Sequence, residues 1–181
     1  MSAHYTYNDH LESKRLITRF LTTEDMFVWD DFFKDKEAVE FLPTFGMVTI
    51  EEKAKYWIDK QLNRYKENNF GLQALIDKNS KDFIGQCGLI KQEVDGQIEI
   101  EVGYHVFKKY WGQGYAPEAA RVFIDYAFEN DLTDSVISII DINNIKSQKV
   151  AIKNGLKREK QTRWLDMDVF IYRIMNPDSS T

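Results

Sequence analysis

The residue types that could do chemistry gather in two stretches of the chain. Glu101, His105, Gly112 and Gly114 fall within residues 101–121, EVGYHVFKKYWGQGYAPEAAR, and Asn144 and Ser147 within residues 141–156, DINNIKSQKVAIKNGL. In the first stretch a strand, a glycine turn and a helix start follow one another. A helix N-terminus carries unpaired N–H groups and roughly half a positive charge, so the turn at Gly112, Gln113 and Gly114 suits phosphate oxygens. Glycine there lets the backbone approach an anion that needs several donors and no bulky side chain in the way. Two well-known phosphate loops do not fit. The dinucleotide fingerprint needs a third glycine where Pro117 stands, and the chain lacks Gly-Lys-Ser/Thr. Glycines that merely end a strand and start a helix are the competing reading, so a second segment has to decide.

Ile98, Ile100, Val102, Tyr104 and Val106 alternate with Glu99, Glu101, Gly103 and His105, which predicts a strand with one buried and one polar face. Glu99, Glu101 and His105 therefore share a face. A solvated cross-strand pair is the plain reading of either glutamate, and a lone strand histidine is more often structural than catalytic. Cys87 alternates within residues 83–89 and reads as a small core residue, since no basic partner is near it in sequence. His4 and His10 sit in a polar N-terminal stretch. No His/Cys/Asp cluster has metal-ligand spacing, and no metal is expected.

Taken together, the two stretches resemble a family. EVGYHVFKKYWGQGYAPEAA, followed by N-x-x-S and Lys-Asn-Gly-Leu, is similar to the GNAT superfamily of acetyl-CoA-dependent N-acetyltransferases. Within it the chain looks most like the branch of Rim-type ribosomal-protein N-terminal acetyltransferases. ESKRLITRFLTTEDM and FIGQCGLI also fit that branch, so the resemblance spans residues 11–174. It implies a single-domain α/β (α+β) fold with a mixed, mostly antiparallel sheet flanked by helices. It also implies transfer of an acetyl group from acetyl-CoA to a primary amine by direct attack in a ternary complex.

In that family a Q/R-x-x-G-x-G/A loop holds the coenzyme A pyrophosphate on backbone amides. Lys109, Gly112 and Gly114 match it, with Lys109 replacing the usual Gln or Arg. Trp111, Gln113, Tyr115 and Ala116 complete a more specific Trp-Gly-x-Gly-Tyr-Ala core. The resemblance further implies that pantetheine pairs like an added strand with backbone near His105, Val106 and Phe107. Asn144 and Ser147 match the N-x-x-S whose side chains face the coenzyme and its thiol, and helix capping is the alternative reading of both.

Amine acetylation needs a neutral amine, a polarised thioester carbonyl and an acid for the departing thiolate. Glu101 lies in the family's Glu-x-Gly-Tyr pattern and is the implied base, commonly acting through water, with Glu99 the competitor. Ser147 is implied as a weak acid, because the tyrosine many members carry four residues before the helix-ending glycine is Ala151 here. Tyr172 in the last strand reads as core. The family's acceptor site is usually walled by the first two helices and the loop between them. Trp29, Phe41, Phe45 and Trp57 are therefore candidates for substrate contact, against a default of core packing. A protein or peptide N-terminus and a small amine both remain open as acceptor. A non-catalytic acyl-CoA-binding sensor or scaffold is the alternative class.

These groups need elements to hold them. Residues 14–20 read as a first strand, and Thr22 or Thr23 as the cap of a helix carrying Asp25, Phe27, Trp29 and Phe32. Thr49 with Glu52 forms a capping box for a helix with Ala54, Trp57, Ile58 and Leu62 at helical spacing. Residues 71–77, 82–91 and 97–107 read as an antiparallel meander with Asp95-Gly96 as a two-residue turn. A helix starts near Pro117 and leads to a strand at 135–140, a passage that implies a parallel neighbour and a mixed sheet. A helix from Asn144 ends at Gly155, and 157–163 with 167–175 suggest a closing hairpin.

The 181 residues suit one domain, placed at 11–175, with flexible termini at 1–10 and 176–181. One cysteine excludes an internal disulfide framework, and no apolar leader or membrane-length run is present, so a cytoplasmic protein is expected. A net charge of -5 argues against a nucleic-acid surface and is compatible with a cationic acceptor. No membrane partner is expected, and monomer and homodimer both stay open.

Overall fold

The computed structural model describes residues 7–43 and 46–179. Its elements run β1 (Leu16–Arg19), α1 (Asp25–Lys34), α2 (Ile50–Lys66), β2 (Leu72–Asp77), β3 (Phe83–Val94), β4 (Gln97–Val106), α3 (Tyr115–Glu129), β5 (Ser135–Asp141), α4 (Ile145–Lys153), β6 (Lys157–Trp164) and β7 (Met167–Met175). The strands form one sheet in the order β1-β2-β3-β4-β5-β7-β6. Every neighbouring pair is antiparallel except β4 with β5, the pair joined by the long crossover through α3. The sequence expectation of a mixed, mostly antiparallel sheet in a single domain holds.

Local chemistry explains most of the joints. Asp95 and Gly96 both take positive φ, 50° and 76°, as a two-residue hairpin turn requires, and they set the ten-pair β3–β4 register from Val94↔Gln97 to Gly85↔Val106. Thr49 Oγ1 accepts from Glu52 N while the Glu52 carboxylate accepts from Thr49 N, completing the expected capping box on α2. At α1 the expectation fails. Neither Thr22 nor Thr23 caps it; Glu24 precedes the helix without a side-chain cap. Asp25 instead faces backward, taking Thr22 N–H and both Arg19 Nη groups on its carboxylate.

Two apolar layers cover the sheet. On one side α3 and α4 bury Phe123, Ile124, Ala127 and Ala151 against Leu89, Val102 and Val106. On the other, α1 and α2 bury Trp29, Phe32, Ala54 and Ile58 against Ala74. β4 is therefore covered on both faces over its second half, and the one-sided reading of it was too simple: Ile98 is 69% exposed, whereas Glu101 is buried. Before β1, Tyr7 is already packed, donating to Gly71 O and accepting from Leu89 N, so residues 7–10 do not behave as the expected loose lead-in. After β7, Pro177–Ser179 make a single 3₁₀ turn rather than an unstructured tail.

The parallel joint is where the sheet opens. β4 and β5 are in register at one pair, Glu101↔Ile137, whereas β5 and β7 match over seven residues. Beyond Glu101 the two strands diverge, each held by its other neighbour. Ser138 Oγ donates to Val102 O across the start of the gap. Backbone direction alternates along a strand, so Tyr104 and Val106, in phase with Val102, also point their N–H and C=O groups into that gap.

Candidate active site

A cleft of about 1050 Å³ runs through the divergence and is lined by residues from both sides of the sheet. Its floor is β4. One mouth is walled by α2, and the other by the turn after β4, the start of α3 and the start of α4.

The second mouth has the properties of an anion cradle. Gly114 caps α3 at φ 81°, a left-handed conformation that disfavours any side chain, and Gly112 at φ 74° has nothing within 4 Å of where a Cβ would stand. The first-turn amides of Tyr115 and Ala116 have no intrahelical acceptor, Pro117 has no N–H, and Glu118 N closes the first turn on Gly114 O at 3.3 Å. The loop is anchored from behind by a residue the sequence reading passed over. Arg15 donates through Nη1 to Gln113 O (2.9 Å) and through Nε to Glu118 Oε2 (2.7 Å), and it lies 4.1 Å from the centre of the Tyr115 ring. Burial works against a charge on Glu118, but bonds from Ser13 Oγ, Arg15 N and Arg15 Nε outweigh it and hold the carboxyl below its ordinary range.

Of the residues expected near a coenzyme, His105, Val106, Trp111, Gly112, Gly114, Tyr115, Ala116, Asn144 and Ser147 line the cleft. Three do not. Phe107 N–H turns to β3, donating to Ile84 O. The Lys109 side chain points outward near the Tyr110 ring, and Gln113 folds back to donate to Lys109 O. Trp111 Nε1 donates to Val106 O (2.8 Å), so on the gap side Val106 keeps its N–H for a ligand while its carbonyl ties down the turn. Asn144 Oδ1 accepts from Ser147 N, which makes the capping reading of Asn144 correct in geometry. Ser147 Oγ donates to Tyr104 Oη (3.0 Å), and Tyr104 Oη donates to Ser147 O (3.0 Å). Burial pushes the Tyr104 phenol well above its usual range. A period-two pattern assigns Tyr104 to the apolar face, and only its position at the divergence brings its hydroxyl to Ser147.

Toward the first mouth, Glu101 lies at the last paired position before the strands part. It is 9% exposed, its Oε2 accepts from Gln92 Nε2 (2.9 Å), and its Oε1 receives Ile139 N at 3.4 Å. Burial raises its pKa, and those two bonds with the nearby Arg64 charge only partly offset the rise. Glu99, its competitor, is locked in a two-pronged pair with Arg173 (2.7 and 2.9 Å) that holds its carboxyl below the ordinary range. His105 faces Trp57 edge-on at 4.9 Å, and burial lowers its pKa to about 4, which keeps it neutral. Cys87 is fully buried and its thiol pKa is pushed up.

The aromatic candidates divide. Phe41 and Trp57 line the cleft, and Trp57 Nε1 donates to Gln86 Oε1 (2.9 Å). Trp29 is completely buried, stacked on Phe32 at 4.2 Å and edge-on to Phe107, so it props the wall and does not reach the cleft. Phe45 lies outside the described residues. Tyr172 is core, with its hydroxyl donating to Gln148 Oε1. Among the described residues no group of three or more His, Cys, Asp or Glu could hold a metal, and no helix is long and apolar enough to cross a membrane.

Comparison with known proteins gives one consistent result. A family profile described as an acetyltransferase (GNAT) domain matches residues 15–157. Bacillus subtilis YkkB is 32% identical over 142 residues, 77% of this chain and 80% of that protein. YnaD of the same organism, described as an uncharacterized N-acetyltransferase, is 27% identical over 83% of this chain and 84% of its own. Among solved structures, Mycobacterium smegmatis RimJ in complex with CoA-disulfide superposes with a TM-score of 0.74 at 16% identity, covering 92% of this chain and 84% of that one.

Proposed function

The chain belongs to the GNAT acetyltransferase family, and on that premise we propose that it acetylates a primary amine by direct attack of the nitrogen on acetyl-CoA within a ternary complex. It is an acetyl-CoA-dependent acyltransferase; the type of amine and the residue roles are what the proposal adds. The observation that carries it is Glu101: a buried carboxylate of raised proton affinity, at the divergence of β4 and β5, between a mouth with free helix-start amides and a mouth walled by α2.

The cradle supports the coenzyme assignment. Gly112 leaves its space open, Gly114 turns the chain, and the Tyr115 and Ala116 amides present donors at the positive end of α3, an arrangement suited to a pyrophosphate. Val106 N–H, on the open side of β4, is the donor for the coenzyme's arm. When bound, acetyl-CoA supplies an acetyl group already activated as a thioester. Glu101 takes a proton from the incoming ammonium, directly or through water, and burial raises its proton affinity, the direction a base requires. Ser147 Oγ, which in the free protein donates to Tyr104 Oη, turns its hydroxyl to the departing sulfur and takes a proton from Tyr104 in its place. Holding both reactants in one cleft supplies a large part of the acceleration.

Two measurements test this. Calorimetric titration with acetyl-CoA should show saturable binding to the free protein. Initial rates with acetyl-CoA and an accepted amine varied together should give intersecting reciprocal plots; parallel plots would mean an acetylated enzyme and would end the direct-attack reading.

A further inference from the structure

Two cations stand on the α2 wall of the cleft. Lys60 and Arg64, one turn apart on α2, both line it, facing Gln92 and Glu101 across the sheet. Arg64 is half-buried, and among the described residues its side chain makes one hydrogen bond, from Nη1 to Gln61 Oε1 (3.0 Å), an oxygen that also accepts from Leu72 N (2.9 Å). No carboxylate among the described residues stands within ion-pair distance of it. The other buried or half-buried arginines near the sheet are all answered: Arg15 by Glu118, Arg19 by Asp25, and Arg173 by Glu99 and Glu159.

That difference has a physical cost. A guanidinium offers five N–H donors and cannot shed its proton, so a partly desolvated one with a single neutral acceptor is under-satisfied. Burial opposes the charge on both Arg64 and Lys60, and Arg64 further opposes the charge on Lys60. Glu101 interacts with Arg64 through space, but its own oxygens are engaged by Gln92 and Ile139. Arg64 is left without a carboxylate in ion-pair distance among the described residues, and its charge beside that of Lys60 disfavours a polycation at this wall.

We propose that the acceptor is an amine carrying its own carboxylate or phosphate, with the anionic group seated on Arg64 and Lys60 and the nitrogen directed to Glu101. This inference rests on the N-acetyltransfer reading above. A planar carboxylate or a phosphate matches the fork of a guanidinium and supplies the missing countercharge. The transfer balances: Glu101 takes one proton from the ammonium, the N–C bond forms, the C–S bond breaks, and the second nitrogen proton makes good the one that Tyr104 and Ser147 pass to the sulfur, so that coenzyme A leaves as the thiol.

The test uses the full chain, acetyl-CoA and five amines: L-glutamate, glucosamine 6-phosphate, their uncharged counterparts glutamic diamide and glucosamine, and spermidine. At least one anionic amine should exceed its counterpart by about 10-fold or more in kcat/KM, the range expected for a charge-assisted bond, with spermidine poorest. Whichever of the two anionic amines is preferred tells carboxylate from phosphate. In Arg64→Gln the preference should shrink to about threefold or less, while the acetyl-CoA affinity measured by calorimetry stays at the wild-type value and shows that the fold is retained. Spermidine or a neutral counterpart matching the anionic amines, a preference that survives in Arg64→Gln, or no transfer to either anionic amine while acetyl-CoA binds would each overturn the inference. Failure of acetyl-CoA to bind the wild-type protein would instead remove the functional reading beneath it.

Discussion

Replacing Glu101 by Gln separates a catalytic carboxylate from a structural one, because the two roles predict opposite signs. The glutamine is nearly isosteric and keeps the stronger contact, accepting from Gln92 Nε2 at 2.9 Å. Its amide then faces Ile139 N, so the marginal 3.4 Å contact is lost, at about 0.5 kcal/mol. Against that stands the removal of a buried charge, and each unit of upward pKa displacement corresponds to about 1.4 kcal/mol against the ionised form. Because the folded-state pKa is raised above the unfolded one, the native protein binds the extra proton between the two values. Wild-type stability therefore falls as pH climbs through that window, and the full penalty is present above it. Glu101→Gln should thus match or exceed wild-type stability in urea unfolding at pH 7, and lose that advantage on acidification below the unfolded carboxyl value. Its kcat/KM, followed by thiol release from acetyl-CoA, should fall about 10²- to 10⁴-fold, equivalent to about 2.7–5.5 kcal/mol of transition-state stabilisation. A stability loss above about 2 kcal/mol would make the carboxylate a structural anchor. An activity loss under about tenfold would remove it as the base.

Gly114→Trp should abolish measurable acetyl-CoA binding in calorimetry, since an indole fills the cradle, and should cost about 1–2 kcal/mol of stability from the left-handed φ of 81° at that position; retained affinity would show that the coenzyme does not use the loop. His105, with a pKa lowered to about 4 by burial, should titrate well below an ordinary imidazole when followed by NMR. Because its folded pKa is depressed, its contribution to stability is complete above the unfolded histidine value and declines as pH falls from there toward 4. An imidazole that titrates near its ordinary value would contradict the packing against Trp57.

Much of this protein is written locally. The Asp95-Gly96 turn, the Thr49–Glu52 box, the glycine-capped start of α3 and the Asn144 cap each depend on a few adjacent residues, so residue type and spacing suffice to find them. The family resemblance in residues 101–121 and 141–156 is local in the same sense, and it singles out the loop in which the structure sets two left-handed glycines before the start of α3. Where the sequence reading failed, a distant partner decided. Thr22 and Thr23 are fair caps in isolation, but Arg19 fixes Asp25 and reshapes the start of α1. Trp29 and Trp57 are equivalent aromatics on amphipathic helices; only packing buries the first beneath Phe32 and sets the second beside His105 in the cleft.

The sequence by itself determined the order of the elements, the backbone chemistry of the loop that suits phosphates, and the set of carboxylates available on β4. The family's Glu-x-Gly-Tyr pattern favours Glu101 over Glu99, but residue type does not show how their surroundings differ, because two residues on one strand face are alike until neighbouring strands are laid beside them. Arg173 on β7 neutralises the first, and the divergence of β4 from β5 buries the second. The same divergence brings Tyr104 to Ser147 and the turn at Trp111 back to Val106, and α2 sets Arg64, which has no carboxylate in ion-pair distance among the described residues, across from Glu101. These are contacts between residues far apart in the chain, governed by where desolvation leaves each charge and hydroxyl, and only the folded sheet fixes them.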